Sequence, residues 1–189
     1  MIGVAEAEAL LRGMSERRAA HARRVGALCA TLAGRFGADP ETALVAGLLH
    51  DCCREMSAEA LLEAAERHGI AVGPLELAQP VALLHGPVAA AELVAAGLPA
   101  APARAIALHT VGAAGMTTLE KCLYLADVCE PGRDFAGVDD VRRLAESSLD
   151  DAVAEAARLS LTSVIRKGRG IALGGVELYN ELNDRLRRL

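Results

Sequence analysis

Apolar residues recur along this chain at intervals of three and four, the spacing that gathers them on one face of an α-helix. Val25, Leu28, Cys29, Leu32 and Phe36 form such a stripe. Ser15 stands ahead of it as a cap whose oxygen can accept from an early backbone N–H. Asp39-Pro40 places a cap before a proline at the first helical position, where the missing N–H costs nothing, and opens a segment running to Asp51. Ser57 starts another, closed by His68-Gly69. "HGPVAAAELVAAG" and "PARAIALHT" predict two more helices, and Thr117 with Glu120 makes a capping box for "LEKCLYLADVC". Ser148 to Lys167 is a long amphipathic helix, and "GGVELYNELNDRLRRL" a terminal one. Loops fall at 97–102, 111–115, 130–138 ("EPGRDFAGV") and 168–175 ("GRGIALGG"). The alternation of a half-buried strand is absent. The expected fold class is all-α: one helical bundle, with an N-terminal helix in residues 1–14 joined to a body at 15–189.

Composition and charge narrow the classes. A chain of 189 residues is one domain with a real core, and aromatics at 2% beside abundant alanine and leucine favour helix. No apolar run approaches the roughly 20 residues of a membrane span, and the start "MIGVAEAEALLRG" is acidic, unlike a signal peptide. The expected location is cytoplasmic, with no membrane partner. Cys29, Cys52, Cys53, Cys122 and Cys129 contain no C-x-x-C pair and read as reduced core residues. A net charge of −5 argues against nucleic acid, though a polyanionic ligand is compatible if arginines or a metal reverse the field inside one cleft. A homodimer is allowed.

The chemistry enters at "GLLHD". His50 and Asp51 close the apolar run 44–49, and an ionisable pair there is costly unless each group has a partner. His21 lies on the stripe of Val25, Leu28 and Leu32, while His85 and His109 sit in apolar helical text. Asp127 follows Leu123 by four and Leu119 by eight. His68, in polar "AAERHGI", is an ordinary helix end. Taken singly, each of the others is a hydrogen-bonded core histidine or a capping aspartate. One divalent metal centre accounts for all six together, because a cation pairs with carboxylates and neutral imidazoles at once. His50 and Asp51 are then metal ligands.

The order His21, His50-Asp51, Asp127 resembles the HD-domain metal-dependent phosphohydrolase superfamily, whose four defining ligands follow it. "LLHGPVAA", "IALHTVGAAGMTTLEKCLYLADVCEPGRDFAGV" and "ELYN" are similar to the bacterial HD-domain symmetrical diadenosine tetraphosphate hydrolases, over about residues 21–180. The resemblance implies an HD-type bundle around a metal site. It implies cleavage of diadenosine tetraphosphate, or a related dinucleoside polyphosphate, to two nucleoside diphosphates. The implied cofactor is a divalent metal: iron, with manganese as the alternative. His21, His50, Asp51 and Asp127 would hold it, leaving positions for a phosphate oxygen and a water whose pKa falls from about 15.7 to about 7. Two departures stand out: Arg54 replaces the family's common lysine, and Val111 replaces a second threonine after Thr110.

The catalytic set on this resemblance is Asp51, His85 and His109. The two histidines either complete a second metal site, with Asp51 bridging ions about 3.5–4 Å apart, or contact phosphate and supply a proton to the leaving diphosphate. Arg133, about two turns past Asp127, is the expected bidentate phosphate clamp. Arg54 serves either phosphate or a structural ion pair. Thr110 belongs to the phosphate site, and Gly170 either brings backbone N–H groups to a phosphate or lies in a flexible link. Lys121 is expected to be solvated. Phe135 and Tyr179 are the aromatics available to an adenine, and so sparse a set predicts that guanosine analogues are accepted too. Competing readings are another HD phosphohydrolase acting on a nucleoside monophosphate or deoxynucleotide, a di-iron oxygenase, and a non-catalytic module.

Overall fold

Side-chain caps set where the helices begin. In the computed structural model, which describes residues 2–186 with side chains through Asn183, Ser15 Oγ accepts from Arg18 N, Asp39 Oδ2 from Thr42 N, Ser57 Oγ from Ala60 N and Ser148 Oγ from Asp151 N. The elements are α1 (Val4–Leu10) with a 3-10 turn (Leu11–Gly13), α2 (Glu16–Phe36), α3 (Pro40–Leu49), α4 (Ala58–Arg67), α5 (Pro74–Ala78) and α6 (Pro80–Ala95). They continue with α7 (Ala100–Leu108), α8 (Thr118–Cys129), α9 (Val138–Leu144), α10 (Leu149–Arg166) and α11 (Leu173–Leu186). No strand occurs among the described residues, and no helix there is long and apolar enough to cross a membrane.

Several boundaries differ from the periodicity. α6 begins at Pro80, five residues before His85, and passes through Pro87, where the ring removes one helical hydrogen bond without ending the helix. α7 starts at Ala100 and α11 at Leu173, so the loops before them are shorter than expected. α5 and α9 have five and seven residues, too few to show a helical period. The expected terminal helix is present, although its residues 187–189 lie outside the described residues. Ala7 of α1 and Leu11 after it are buried in the same core as α2 and α3, so the N-terminal helix is one more layer of a single body.

Within that body α2 packs on α3 and α8, α6 on α4 and α7, and α10 on α8, α9 and α11. Two helix crossings bring backbone against backbone. A Cβ on Gly47 of α3 would lie 2.5 Å from the Cα of Gly26 on α2, and one on Gly86 of α6 would lie 2.9 Å from Ile106 O on α7. Only glycine lets these backbones meet so closely, and each contact lies beside a histidine pair. All five cysteines are free, four of them buried and Cys52 half-buried. Lys121 overturns its expectation: it is buried, with Nζ 2.5 Å from Asp150 Oδ1. Its position in the first turn of α8 faces α10, which the neighbouring Glu120 in the sequence does not reveal.

Candidate metal centre and its clefts

Five separate elements deliver six ionisable side chains to one place. His21 comes from α2, His50 caps α3, Asp51 lies in the turn behind it, His85 sits inside α6, His109 caps α7 and Asp127 lies in α8. His50 is fully buried, and His21, Asp51, His85 and His109 are nearly so. Asp127 keeps 21% of its side chain exposed and forms part of a cleft wall.

The outward-facing ring nitrogens decide what points inward. His50 Nδ1 is 2.7 Å from Gly47 O, His109 Nδ1 2.7 Å from Ile106 O, and His85 Nδ1 2.9 Å from Val81 O. A carbonyl can only accept, so each ring carries its proton on Nδ1 and presents a bare Nε2. The first two contacts share one device: a histidine at a helix end satisfies an orphan carbonyl three residues back. His21 Nδ1 donates to Glu130 Oε1 at 3.1 Å. Burial works against the Glu130 charge, but the Arg24 hydrogen bond and the Gly132 N–H hold its carboxyl down at about 2, so it too accepts. Four Nε2 lone pairs therefore converge, and those of His85 and His109 stand 3.0 Å apart.

Asp51 lies among them. Its Oδ2 is 3.4 Å from His50 Nε2 and 3.8 Å from His21 Nε2, while its Oδ1 is 3.3 Å from His85 Nε2 and 3.8 Å from His109 Nε2. Asp127 Oδ1 is 3.0 Å from His21 Nε2 and 3.8 Å from His50 Nε2. Two sets, His21–His50–Asp127 and His50–Asp51–His109, each bring their ligand atoms within 4.8 Å of one another. Despite the near carboxylates, His21 Nε2 and His50 Nε2 have no aligned hydrogen-bond partner among the described residues. An unsatisfied buried polar atom costs about 1–3 kcal/mol, and a divalent cation would satisfy both at once. The imidazole and carboxylate donor set suits a transition metal, so the residues present fit the ion that the HD order implies.

The charges are consistent with that fit. Burial opposes ionisation of Asp51 and Asp127, yet His50 beside Asp51 and the His21 contact to Asp127 outweigh it, and both carboxyls stay far below the usual range. Burial opposes a charge on His50, but Asp51 outweighs it and holds the His50 pKa above the ordinary imidazole value, so a cation at its Nε2 competes with a proton there. Burial, with His50 and His85 nearby, pushes His109 down to about 3, so its imidazole is neutral at neutral pH.

Other expected residues divide. Thr110 Oγ1 joins the centre, 3.2 Å from His85 Nε2 and 3.1 Å from His109 Nε2. Arg133 reaches it as well, with Nε donating to Asp127 O at 2.8 Å and Nη2 to Asp127 Oδ1 at 2.5 Å. Arg54 stands behind His85, donating to Val81 O at 2.7 Å with His85 Nδ1 at 3.4 Å, and makes no carboxylate pair among the described residues. Gly170 is away from the centre; its carbonyl accepts from Gln79 Nε2. Tyr179 packs against the core, whereas Phe135 is 41% exposed on a cleft.

Glu130, Arg24 and Arg18 escaped the sequence reading. Glu130 is buried and receives His21 Nδ1, Arg24 Nε at 2.6 Å and Gly132 N at 2.5 Å. Arg18 Nη1 donates to Asp51 Oδ2 at 2.5 Å. Its place three residues before His21, on one helical face, was a usable signal. Glu130 carried none, since it ends α8 in front of a proline like any loop residue.

Three clefts open on this centre. The largest, about 670 Å3, runs from Asp127, Arg133 and Thr110 past Phe135 and α10. A second, about 290 Å3, is rimmed by Arg17, Arg18, Arg24 and Arg133. A third, about 210 Å3, is lined by Thr110, Tyr124, Leu161, Gly170 and Ile171.

Known proteins resemble this chain over most of its length. The sequence pattern of the HD domain family matches residues 18–132. A symmetrical bis(5'-nucleosyl)-tetraphosphatase of Bacillus subtilis (strain 168) is 33% identical over 171 residues, 89% of this chain and 91% of that protein. One from Staphylococcus aureus is 30% identical over 175 residues, 90% of this chain and 86% of that protein. The crystal structure of a Clostridium acetobutylicum protein, described as a "predicted HD superfamily hydrolase involved in NAD metabolism", superposes with a TM-score of 0.90 at 31% identity, over 98% of this chain and 99% of that one. The chain belongs to the HD domain family, on the branch that carries the symmetrical bis(5'-nucleosyl)-tetraphosphatases it resembles.

Proposed function

We propose that this protein is a metal-dependent hydrolase that cuts diadenosine tetraphosphate, and related dinucleoside tetraphosphates, at the middle of the phosphate bridge. The observation that carries this is the convergence of four imidazole Nε2 atoms and two carboxylates beside arginine-rimmed clefts, in a chain whose relatives, matched over about nine-tenths of it, bear that name. One water is consumed: its oxygen bonds to one of the two central phosphorus atoms, and the central bridging oxygen leaves with the other half. The products are two nucleoside diphosphates.

A divalent ion, iron with manganese as the alternative, would be held by His21, His50, Asp51 and Asp127, and supplies a nucleophilic water at neutral pH together with positive charge for the phosphoryl oxygens. Asp51 presents one oxygen to each histidine pair, which supports a second ion on the His85–His109 side. Arg133 is pinned by the carbonyl and carboxylate of Asp127, so its guanidinium is oriented before substrate arrives. Arg133 lines both the 670 Å3 cleft and the arginine groove, where the bridge would lie. Arg17, which forms no ion pair among the described residues, adds positive field at this rim, where Arg18 and Arg24 offset the carboxylates of Asp51 and Glu130. The Thr110 hydroxyl, next to both His85 and His109, is placed for a phosphate oxygen. Gly170 lines the 210 Å3 cleft with Tyr124 and Ile171, an apolar slot for the nucleoside of the held half. With so few aromatic walls, guanosine analogues are accepted beside adenosine. A nucleotide substrate and free cysteines support a cytoplasmic location.

Chromatography of the products from metal-loaded protein and diadenosine tetraphosphate tests this. Two ADP are expected; equimolar ATP and AMP refute the central cut. Consumption of NAD, a nucleoside monophosphate or a deoxynucleotide from the same panel, with the tetraphosphate intact, refutes the substrate. Asp51→Ala should lose metal and nearly all turnover, and hydrolysis at the parental rate would overturn the metal mechanism.

A further inference from the structure

α10 divides the approach to the histidine centre. Leu159, Thr162, Ser163 and Arg166, spaced i, i+3, i+4 and i+7, line the 670 Å3 cleft. Ala157, Ser160, Leu161 and Val164 repeat that spacing two residues earlier and line the 210 Å3 cleft. Thr110 and Ser160 line both. The two clefts therefore lie on adjacent faces of one helix and meet at the threonine that touches His85 and His109.

Size and charge distinguish them. Pockets that bury most of a drug-sized ligand hold about 300–1,000 Å3, so the 210 Å3 cleft encloses no more than the nucleoside part of one half, while the 670 Å3 cleft has room for a whole half. The larger cleft also has the chemistry. Phe135 is an exposed aromatic on its wall, with the apolar Leu159 beside it and hydroxyls from Thr162 and Ser163. Arg166 and Lys167 stand exposed at the end of α10 and form no ion pair among the described residues. By contrast Arg18, Arg24 and Arg133, nearer the centre, are each paired with a carboxylate. Unpaired cations along a cleft that ends at Asp127 and Arg133 are uncommitted charge for a polyanion.

We propose that the 670 Å3 cleft is the subsite for the second nucleotide half, with Phe135 stacking on its base and Arg166 and Lys167 attracting its phosphates. The dinucleoside then straddles α10, its phosphate bridge passing Thr110. This rests on the hydrolase reading above and extends it: selection for a nucleoside at each end of the bridge comes from Phe135 and the end of α10. A polyphosphate with one nucleoside leaves this cleft unfilled.

Two measurements test it on the full-length, metal-loaded protein. The first compares kcat/KM for diadenosine tetraphosphate and adenosine 5'-tetraphosphate, which differ by one nucleoside. The parent should prefer the dinucleoside, and Phe135→Ala should narrow that preference about tenfold, the effect of one lost base–aromatic stack. Arg166→Glu with Lys167→Glu should narrow it too. Equal losses on both substrates, or no change, overturn the subsite. The second measurement is calorimetric titration with ADP. Two ADP per chain are expected for the parent, with one of the two bound about tenfold more weakly in Phe135→Ala; one ADP per chain in the parent, or unchanged affinity at both sites in the variant, overturns the proposal. All replaced side chains are exposed, and thermal melts matching the parent identify a folded variant. If the parent cuts neither tetraphosphate, the hydrolase reading itself falls. Parental turnover with an unaltered preference in the variants removes only the subsite.

Discussion

Gly47→Ala tests how the centre is held together. The added Cβ would lie 2.5 Å from Gly26 Cα, 2.8 Å from Gly26 N and 3.2 Å from Val25 C, all of it backbone that cannot rotate away. Non-bonded carbons prefer about 3.5–4.0 Å, so α2 and α3 must part by about 1 Å. Overpacking of this kind costs about 1–3 kcal/mol, and alanine in place of glycine inside a helix returns about 0.5–1 kcal/mol. The net destabilisation is up to about 2.5 kcal/mol, which for a chain of this length lowers Tm by up to about 10 °C. His50 is three residues along α3 and His21 five residues back on α2, so the same separation pulls their Nε2 atoms apart and metal affinity falls with Tm. Gly34→Ala is the control: it lies on the same α2, but its Cβ would meet only Pro40 Cγ at 3.5 Å, an ordinary contact. That change should stabilise by about 0.4–1 kcal/mol. Calorimetric melts and a chelator-competition titration of each variant measure both effects. A Gly47→Ala protein as stable and as metal-avid as Gly34→Ala would refute the close backbone approach.

Glu130→Gln should weaken metal binding about 10–100-fold, the usual loss when a group orienting a ligand histidine is removed; unchanged affinity by the same titration would show that His21 needs no such anchor. Glu130 also carries a pH signature. Its folded pKa lies at about 2, below the ordinary 4.5, so its contribution is present above 4.5 and lost as pH falls toward 2. The stability gap between metal-free parent and Glu130→Gln should therefore close on acidification through that window, and a gap constant with pH contradicts the Arg24 and His21 contacts. His85→Ala and His109→Ala should each lose about one metal equivalent per chain by elemental analysis. Retained metal with a rate lowered about 10²–10⁴-fold would instead make them proton or phosphate contacts, and parental metal with a parental rate would leave them as core residues.

Much of the bundle was legible because helix signals are local. The caps at Ser15, Asp39, Ser57, Thr117 and Ser148 act on N–H groups three residues away, and all five mark real starts. Where the signal was not local the boundaries moved. α6 runs through Pro87 because tertiary packing against α4 and α7 outweighs one lost hydrogen bond, and a seven-residue α9 has no period to detect. The six residues that converge at the candidate centre were likewise visible, since a charge set in apolar helical text needs a partner wherever the chain goes. What the sequence by itself determined was thus a helical body with six ionisable groups turned inward, in the order of an HD hydrolase. Only the tertiary structure decided that four Nε2 atoms share one space, that Arg133 is anchored on Asp127, that Lys121 is buried against α10, and that α10 parts two clefts. The physical reason is range: periodicity and capping extend over about four residues, whereas Glu130 meets His21 from 109 residues away, through helix packing that no local pattern encodes.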